Sequence, residues 1–317
     1  MKHIDLFAGT GAFSYAFAKN GGQTVFSNDM LESSKTVYDA NVAGHELTCA
    51  NLCDINPVDI PAHDILTGGF PCQPFSIAGR REGFNDPRSN VFYKILEILD
   101  HHKPACVVLE NVKNLTTHDN KNTFKTVLSE LEARGYHVKY KVLNTAQITG
   151  VPQHRERIYI VGLRSKSAYD AFTLDFPDVP KRKVSELLDE EVPDKYYYKE
   201  GTKAWDLVGP MEMELDTVYQ YRRVYIRENK SGECPTLTAN MGHGGHNVPL
   251  VIDAKGKRKL TPRECFRFQG FPDSFILPPL SDSKLYALAG NAVSVPVVEL
   301  IASRLMPLLK MPSNVPR

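Results

Sequence analysis

Along the first half of the chain, short apolar runs alternate with stretches whose apolar positions recur at helical spacing. Residues 2–7 read as a strand running into Ala8-Gly9-Thr10-Gly11, residues 14–19 as a helix closed by Gly21-Gly22, and residues 24–29 as a second strand ending on Asp29. A helix over 33–41 and a strand over 64–67 follow, then a helix over 90–101 with apolar Val91, Phe92, Ile95, Ile98 and Leu99. A β-branched strand over 105–109, a helix over 123–134 ended by Gly135, and strands over 136–143 and 157–163 complete the series. This alternation predicts an α/β fold built on a doubly wound, mostly parallel sheet with helices on both faces. Strand, glycine turn, helix, strand and acid outline a mononucleotide-binding half, although a hydride-transfer cofactor would fit the same outline.

The pattern breaks near Phe176-Pro177-Asp178-Val179-Pro180. From there to about residue 280 the chain is irregular. It carries the tyrosine run Tyr196-Tyr197-Tyr198, the basic-aromatic segment 219–227 and the glycine-rich turn 240–247. Helical character returns over 284–309. The expected organisation is a large domain over 1–177, a smaller irregular β-rich domain over 178–282, and a C-terminal helix over 283–317 that returns to the large domain.

Composition narrows the partners. The chain is 42% hydrophobic and 24% charged, with net charge +1, so any surface for a polyanion must be local. No apolar run approaches the roughly 18 residues of a membrane span and no signal peptide precedes the first strand, which predicts a cytoplasmic protein without membrane attachment. Six cysteines are scattered without a framework, as suits free thiols in a reducing compartment. Cys49 and Cys53 lack a second ligand pair, and His243 and His246 lie in a glycine-rich loop, so no metal is expected.

Residues suited to chemistry fall at successive strand ends. Gly68-Gly69-Phe70-Pro71-Cys72-Gln73-Pro74 places a thiol on a turn stiffened by flanking prolines, as a nucleophile requires. Gly9 and Gly11 follow the first strand, Asp29 ends the second, Glu110 ends the strand over 105–109, and Arg155 and Arg157 open a late strand. Taken singly, Cys72 reads as a buried hydrophobe, Asp29 as a helix cap, Glu110 as a surface carboxylate, and Arg157 as half of a solvated pair with Glu156. Their common placement argues for a site.

In this arrangement the chain resembles the DNA (cytosine-5)-methyltransferases of the bacterial and phage restriction-modification type, through nearly its whole length. Asp5-Leu6-Phe7-Ala8-Gly9-Thr10-Gly11 is similar to the family's first motif. Gly69 to Ser76 resembles its nucleophile loop, and Glu110-Asn111-Val112 its catalytic carboxylate. Gln153-His154-Arg155-Glu156-Arg157 resembles the paired-arginine motif, residues 258–265 with 269–273 the ninth motif, and Gly290-Asn291-Ala292-Val293 the tenth.

The resemblance implies a Rossmann-like core that binds S-adenosyl-L-methionine and releases S-adenosyl-L-homocysteine, with the small domain as a target-recognition domain. Catalytic roles are implied for Cys72, Glu110, Arg155 and Arg157. Cofactor contacts are implied for Phe7, Ala8, Gly9, Thr10, Gly11, Asp29, Met30, Asp54, Ile55, Pro71, Asn291 and Val293. Double-stranded DNA would meet Ser76, Arg80, Arg222, Arg223, Arg227, Thr236, Asn240, Gly242 and Gly244. The implied chemistry is thiolate attack on cytosine C6, which makes C5 nucleophilic, with Glu110 serving N3 and Arg157 serving O2. A duplex base must be flipped out to reach such a site, and residues 77–88 suit a closing lid.

Two alternatives keep the fold. A transfer-RNA cytosine methyltransferase would normally carry a Cys-Phe-Thr signature in the small domain, which is absent here. An inactive DNA-binding regulator would be expected to have lost Cys72, Glu110 or the glycine turn. A nicotinamide oxidoreductase leaves Cys72, Glu110 and the arginines without a role. A monomer is expected, with a cognate restriction endonuclease as a functional counterpart and no stable complex between them.

Overall fold

The computed structural model describes residues 1–71, 90–222, 224–241 and 248–310. The chain divides into two compact units, the first formed by residues 1–143, 156–176 and 297–317 and the second by 144–155 and 177–296. Residues 144–155, which the sequence pattern assigned to the first domain, pack with the second unit. The return to the first unit falls inside the C-terminal helix rather than at residue 283.

The first unit is built on seven strands in the order β3-β2-β1-β4-β5-β8-β6. They are β1 (Lys2–Leu6), β2 (Gln23–Asp29), β3 (Thr48–Cys49), β4 (Ile65–Gly69), β5 (Cys106–Val112), β6 (His137–Asn144) and β8 (Glu156–Leu163). Strands β3, β2, β1, β4 and β5 run parallel, and β8 lies antiparallel to β5. Reversal at β8 has a direct consequence for the site, because the beginning of β8 meets the end of β5 and Arg157 pairs with Val112. Strands β1, β4 and β5 are buried almost throughout, as expected when helices cover both faces.

Helices α1 (Ala12–Lys19), α2 (Glu32–Asn41), α3 (Asn90–His102) and α4 (Asn122–Ala133) connect these strands. Gly21 and Gly135, both at positive φ, end α1 and α4 in Schellman turns: Gly22 N–H bonds Phe17 O and Tyr136 N–H bonds Leu131 O. The core joins Ile4, Leu66, Leu109 and Ile160 of the sheet to Phe92, Ile95 and Leu99 of α3 and to Val127 and Leu131 of α4. Each such side chain contributes about 1.5–3 kcal/mol on burial.

In the second unit, α5 (Thr145–Thr149) and β7 (Gln153–His154) lead up to β8, and α6 (Lys166–Ala171) follows β8 in the first unit. A four-stranded antiparallel sheet in the order β10-β9-β12-β13 then forms from β9 (Val218–Tyr221), β10 (Ile226–Asn229), β12 (Leu250–Asp253) and β13 (Gly256–Lys259). Strand β11 (Cys234–Pro235) pairs with β7. Val208, Tyr219, Tyr221 and Leu250 form a small core. The helix expected over 284–309 is two helices. They follow α7 (Trp205–Val208) and α8 (Pro262–Phe268), and are α9 (Asp282–Asn291) and α10 (Val295–Leu309). This stretch has the length and hydropathy of a membrane span, but 56% of its most apolar window is packed inside the protein, as in a core helix.

Candidate active site

The strand ends of the first unit supply two adjoining sets of groups. On β5, Glu110 is 8% exposed and its Oε1 lies 3.1 Å from Arg157 Nε of β8. Arg157 Nη1 donates to the carbonyl of Glu156 at 2.8 Å, while the Glu156 carboxylate pairs with Lys113. Arg157 therefore engages Glu110 rather than the side chain of its neighbour. Asn111 is buried and donates through Nδ2 to Phe70 O at 2.9 Å, fixing the backbone that leads into Pro71. A carboxyl beside a guanidinium offers adjacent donors and acceptors, which suits the polar edge of a planar heterocycle. Cys72, Ser76 and Arg80 lie outside the described residues.

The second set surrounds the turn after β1. Gly11 N–H bonds Ala8 O at 2.7 Å, and Gly9 N–H bonds Asp29 Oδ2 at 2.9 Å. Asp29 Oδ1 accepts Leu31 N–H at 3.0 Å, so each carboxylate oxygen keeps capacity for a further donor. Phe7 holds φ 55°, a left-handed conformation that is strained for an aromatic residue and marks the turn as shaped for use. Gly11, at φ 82°, is required twice over, because a Cβ there would come within 3.0 Å of the Tyr38 ring. Asn28 Nδ2 donates to Thr48 O and Ala50 O and thereby ties β2 to the segment bearing Asp54. Asp54 is exposed, Ile55 packs against the edge of the core, and Met30 is 70% exposed beyond Asp29.

This region fits an adenosine-type cofactor on the structure's own terms. Thr10 Oγ1 is buried without a partner among the described residues, and a Cβ on Gly9 would meet nothing nearer than 4.0 Å. The turn thus combines an open backbone face at Gly9, a buried hydroxyl at Thr10 with bonding capacity to spare and, through the Gly9–Asp29 bond, a carboxylate suited to a ribose diol. Among the described residues, no cluster of His, Cys, Asp and Glu could hold a metal ion.

Arg155 belongs to the second unit and takes a different role from its neighbour Arg157. It is 2% exposed and donates to Leu237 O at 3.0 Å, Gly290 O at 3.3 Å and Ala292 O at 2.8 Å, joining the Thr236-Leu237 segment to the 290–292 turn. Gly290 allows this approach, since a Cβ would fall 2.1 Å from Thr238 C. Thr236 Oγ1 donates to His154 O, and Leu237 N–H to Gln153 Oε1. Asn291 is exposed and Val293 buried at the α9–α10 junction. Arg222 and Arg227 are exposed about the β9–β10 hairpin, and Asn240 is exposed and bonded by Thr238. Arg223, Gly242 and Gly244 lie outside the described residues.

Sequence reasoning missed Asn28, Asn111 and the buried polar residues beneath the glycine turn. Asn28 and Asn111 interrupt apolar strands one residue from a motif acid, and that was the available signal.

The sequence profile of the C-5 cytosine-specific DNA methylases matches residues 1–306. Type II methyltransferase M.Bsp6I of Bacillus sp. (strain RFL6) is 45% identical over 307 residues, spanning 95% of this chain and 96% of that protein. Type II methyltransferase M.HaeII of Haemophilus aegyptius is 41% identical over 317 residues, spanning 98% and 94%. The crystal structure of the S. pombe Dnmt2 methyltransferase superposes with a TM-score of 0.74 at 20% identity over 98% of this chain and 99% of that one, a likeness of fold.

Proposed function

Because the chain belongs to the C-5 cytosine-specific DNA methylase family, we propose that it is a DNA (cytosine-5)-methyltransferase that modifies a cytosine flipped out of a specific duplex site. The observation that carries the reading is the part-buried Glu110–Arg157 pair at the sheet edge where the nucleophile loop departs. S-adenosyl-L-methionine, held by the turn from Phe7 to Gly11 with Asp29, Met30, Asp54, Ile55, Pro71, Asn291 and Val293, supplies an electrophilic methyl group.

The chain's own residues do the rest. The Cys72 thiolate forms a bond to C6, and the displaced electron pair builds up at C5. Glu110 holds a proton at N3, which makes the ring a better electrophile, while Arg157 bonds O2. After C5 is methylated, loss of its proton to water returns the electron pair to the ring and expels Cys72. Arg155 positions the Thr236-Leu237 segment. The second unit recognises the target sequence through Arg222, Arg223, Arg227, Thr236, Asn240, Gly242 and Gly244, with Ser76 and Arg80 contacting DNA from the loop. The protein acts in the cytoplasm as a monomer and protects DNA from a companion restriction endonuclease.

The test is transfer of labelled methyl groups from S-adenosyl-L-methionine to DNA and to RNA, followed by base analysis. Label is expected in 5-methylcytosine of DNA. Label in N4-methylcytosine, in N6-methyladenine or in RNA alone overturns the reading. A duplex bearing 5-fluorocytosine at the target should form a stable adduct, and Cys72→Ser should not.

A further inference from the structure

Beneath the glycine turn runs a chain of buried polar groups that the chemistry above does not use. Asp5 of β1 is wholly buried, and its Oδ2 accepts the backbone N–H of Ser14 at 3.0 Å and contacts Ser14 Oγ at 2.7 Å. Ser14 Oγ lies 2.9 Å from the hydroxyl of Tyr38, which lies 3.1 Å from His45 Nε2, which in turn lies 2.8 Å from Ser27 Oγ. Asp5 Oδ1 receives the Thr67 hydroxyl at 3.2 Å. These bonds reach each segment around the open turn in this unit. Ser14 is on α1, which the turn begins; the Tyr38 ring backs Gly11; Ser27 is two residues before Asp29.

We propose that Asp5 is a positioning residue for cofactor binding, acting through Ser14 and Tyr38 to set the shape of the glycine turn, and that its carboxylate form is the one that does so. The proposal rests on the reading of the turn as an S-adenosyl-L-methionine site.

Proton bookkeeping gives the chain two polarities. With Asp5 ionised, Ser14 donates its hydroxyl to Asp5 and Tyr38 donates to Ser14, which leaves the His45 Nε2–H shared between Tyr38 and the nearer Ser27 Oγ. With the proton on Asp5 Oδ2 the bonds reverse: Asp5 donates to Ser14, Ser14 to Tyr38, and Tyr38 to His45 Nε2, whose ring proton then sits on Nδ1; with the proton on Oδ1, Ser14 keeps donating to Oδ2, but to a neutral oxygen that is a weaker acceptor than a carboxylate. His45 Nδ1 is buried with no partner among the described residues, so the second polarity buries an N–H without an acceptor. The backbone N–H of Ser14 also favours a full carboxylate as its acceptor.

The groups facing Asp5 make both states reachable. Burial pushes its carboxyl up to about 7, opposed by the bonds from Ser14 and Thr67 and assisted by Asp29 on β2. Tyr38 on α2 is held neutral by burial, and His45 is lowered by burial. His3, on the same strand, reaches Thr67 of β4 and is lowered to about 3 by burial, so it too is neutral.

Binding of S-adenosyl-L-homocysteine to the full-length protein, followed by calorimetry from pH 5.5 to 8, tests this. Wild-type affinity should rise about tenfold across that range. Asp5→Asn, whose amide N–H imitates the acid form, should bind about tenfold more weakly at pH 8 and show no pH dependence, while its melting temperature at pH 8 equals or exceeds wild type. A merely structural role would lower affinity and melting temperature together, and that outcome overturns the proposal, as does a wild-type profile that is flat or an Asp5→Asn profile that matches wild type. If Asp5→Asn does not fold, Ser14→Ala carries the test, since it keeps the carboxyl and removes the oxygen through which it acts. Persistence of the wild-type pH profile in Ser14→Ala is the overturning result there. Failure of wild type to bind at any pH instead overturns the cofactor reading, and the inference with it.

Discussion

Two arginine–glutamate pairs, one in each unit, show how the same chemistry serves opposite ends. In the second unit, Arg258 and Glu264 are both 0% exposed and joined by two bonds, at 2.8 and 2.9 Å. Arg258 Nε also bonds Asp253, and Glu264 caps α8 by accepting Thr261 N–H at 2.7 Å. The pair is absorbed by its own surroundings, which is what makes a buried ion pair tolerable. In the first unit, the Arg157–Glu110 contact is 3.1 Å long, and the side chains keep 16% and 10% of their exposure near the end of a strand. One pair is closed on itself; the other keeps part of its surface open. The difference predicts that the first governs stability and the second turnover.

The largest expected effect breaks the second pair. Glu110→Gln keeps shape but cannot cycle a proton at N3, so kcat should fall roughly 10^3-fold, about 4 kcal/mol of transition-state stabilisation. Its melting temperature should stay close to wild type. Steady-state methylation paired with thermal unfolding checks this, and a fall in stability matching the fall in rate would erase the contrast. Arg258→Ala should behave oppositely. It leaves Glu264 buried and unpaired, which costs roughly 3–5 kcal/mol of folding stability. Denaturant melts should register that loss, while the folded fraction methylates at near wild-type rate at low temperature.

How much of this was legible depended on whether a residue's role is local. Glycines 9 and 11, Asp29 and Glu110 stand at strand ends, where the apolar pattern stops and chemistry begins, and the strands emerged within a few residues of their expected bounds. Arg157 was harder. Beside Glu156 it reads as a surface pair, and only the antiparallel course of β8 brings it to Glu110. Direction of a late strand is not written in its own residues. Asp5, Ser14 and Tyr38 were illegible as a group, because their bonds link positions 9 and 24 residues apart across three elements and leave no periodic trace. The division of labour between Arg155 and Arg157, one gathering carbonyls and one meeting a carboxylate, likewise depends on which unit each strand segment packs into.

Smaller than the effect of breaking either pair is the pH response of the first unit's buried network. Asp5 is raised to about 7 in the folded protein, so folding takes up its proton, and this group lowers stability as pH rises from about 4 to 7. His3 is lowered to about 3, so folding rejects its proton, and this group raises stability as pH rises from about 3 to 6.5. The two slopes oppose each other below pH 6.5. Asp5→Asn should therefore stabilise the protein at pH 8, on the order of 2 kcal/mol, and leave an unopposed rise in stability between pH 4 and 6.5. Denaturation series at several pH values check both signs. No stabilisation at pH 8 would mean that the carboxylate is already well served by Ser14 and Thr67.

The smallest effect refines the closed pair from within. Thr261 caps α8 in a reciprocal box: its Oγ1 accepts Glu264 N–H at 3.1 Å while Glu264 accepts the backbone N–H of Thr261, and the same hydroxyl donates to Asp189 Oδ2 at 3.0 Å. Thr261→Ala removes the cap but leaves Glu264 bonded twice to Arg258, so the loss should be confined to about 1 kcal/mol, the ordinary worth of an N-cap. Combined with Arg258→Ala, the cost should exceed the sum of the single changes, because Glu264 would then lose both its cap partner and its counter-charge. Denaturant melts of the two single variants and the double variant measure the coupling directly. Strict additivity would show that Glu264 serves the helix cap and the ion pair independently, and that the second unit's pair is less closed than its geometry indicates.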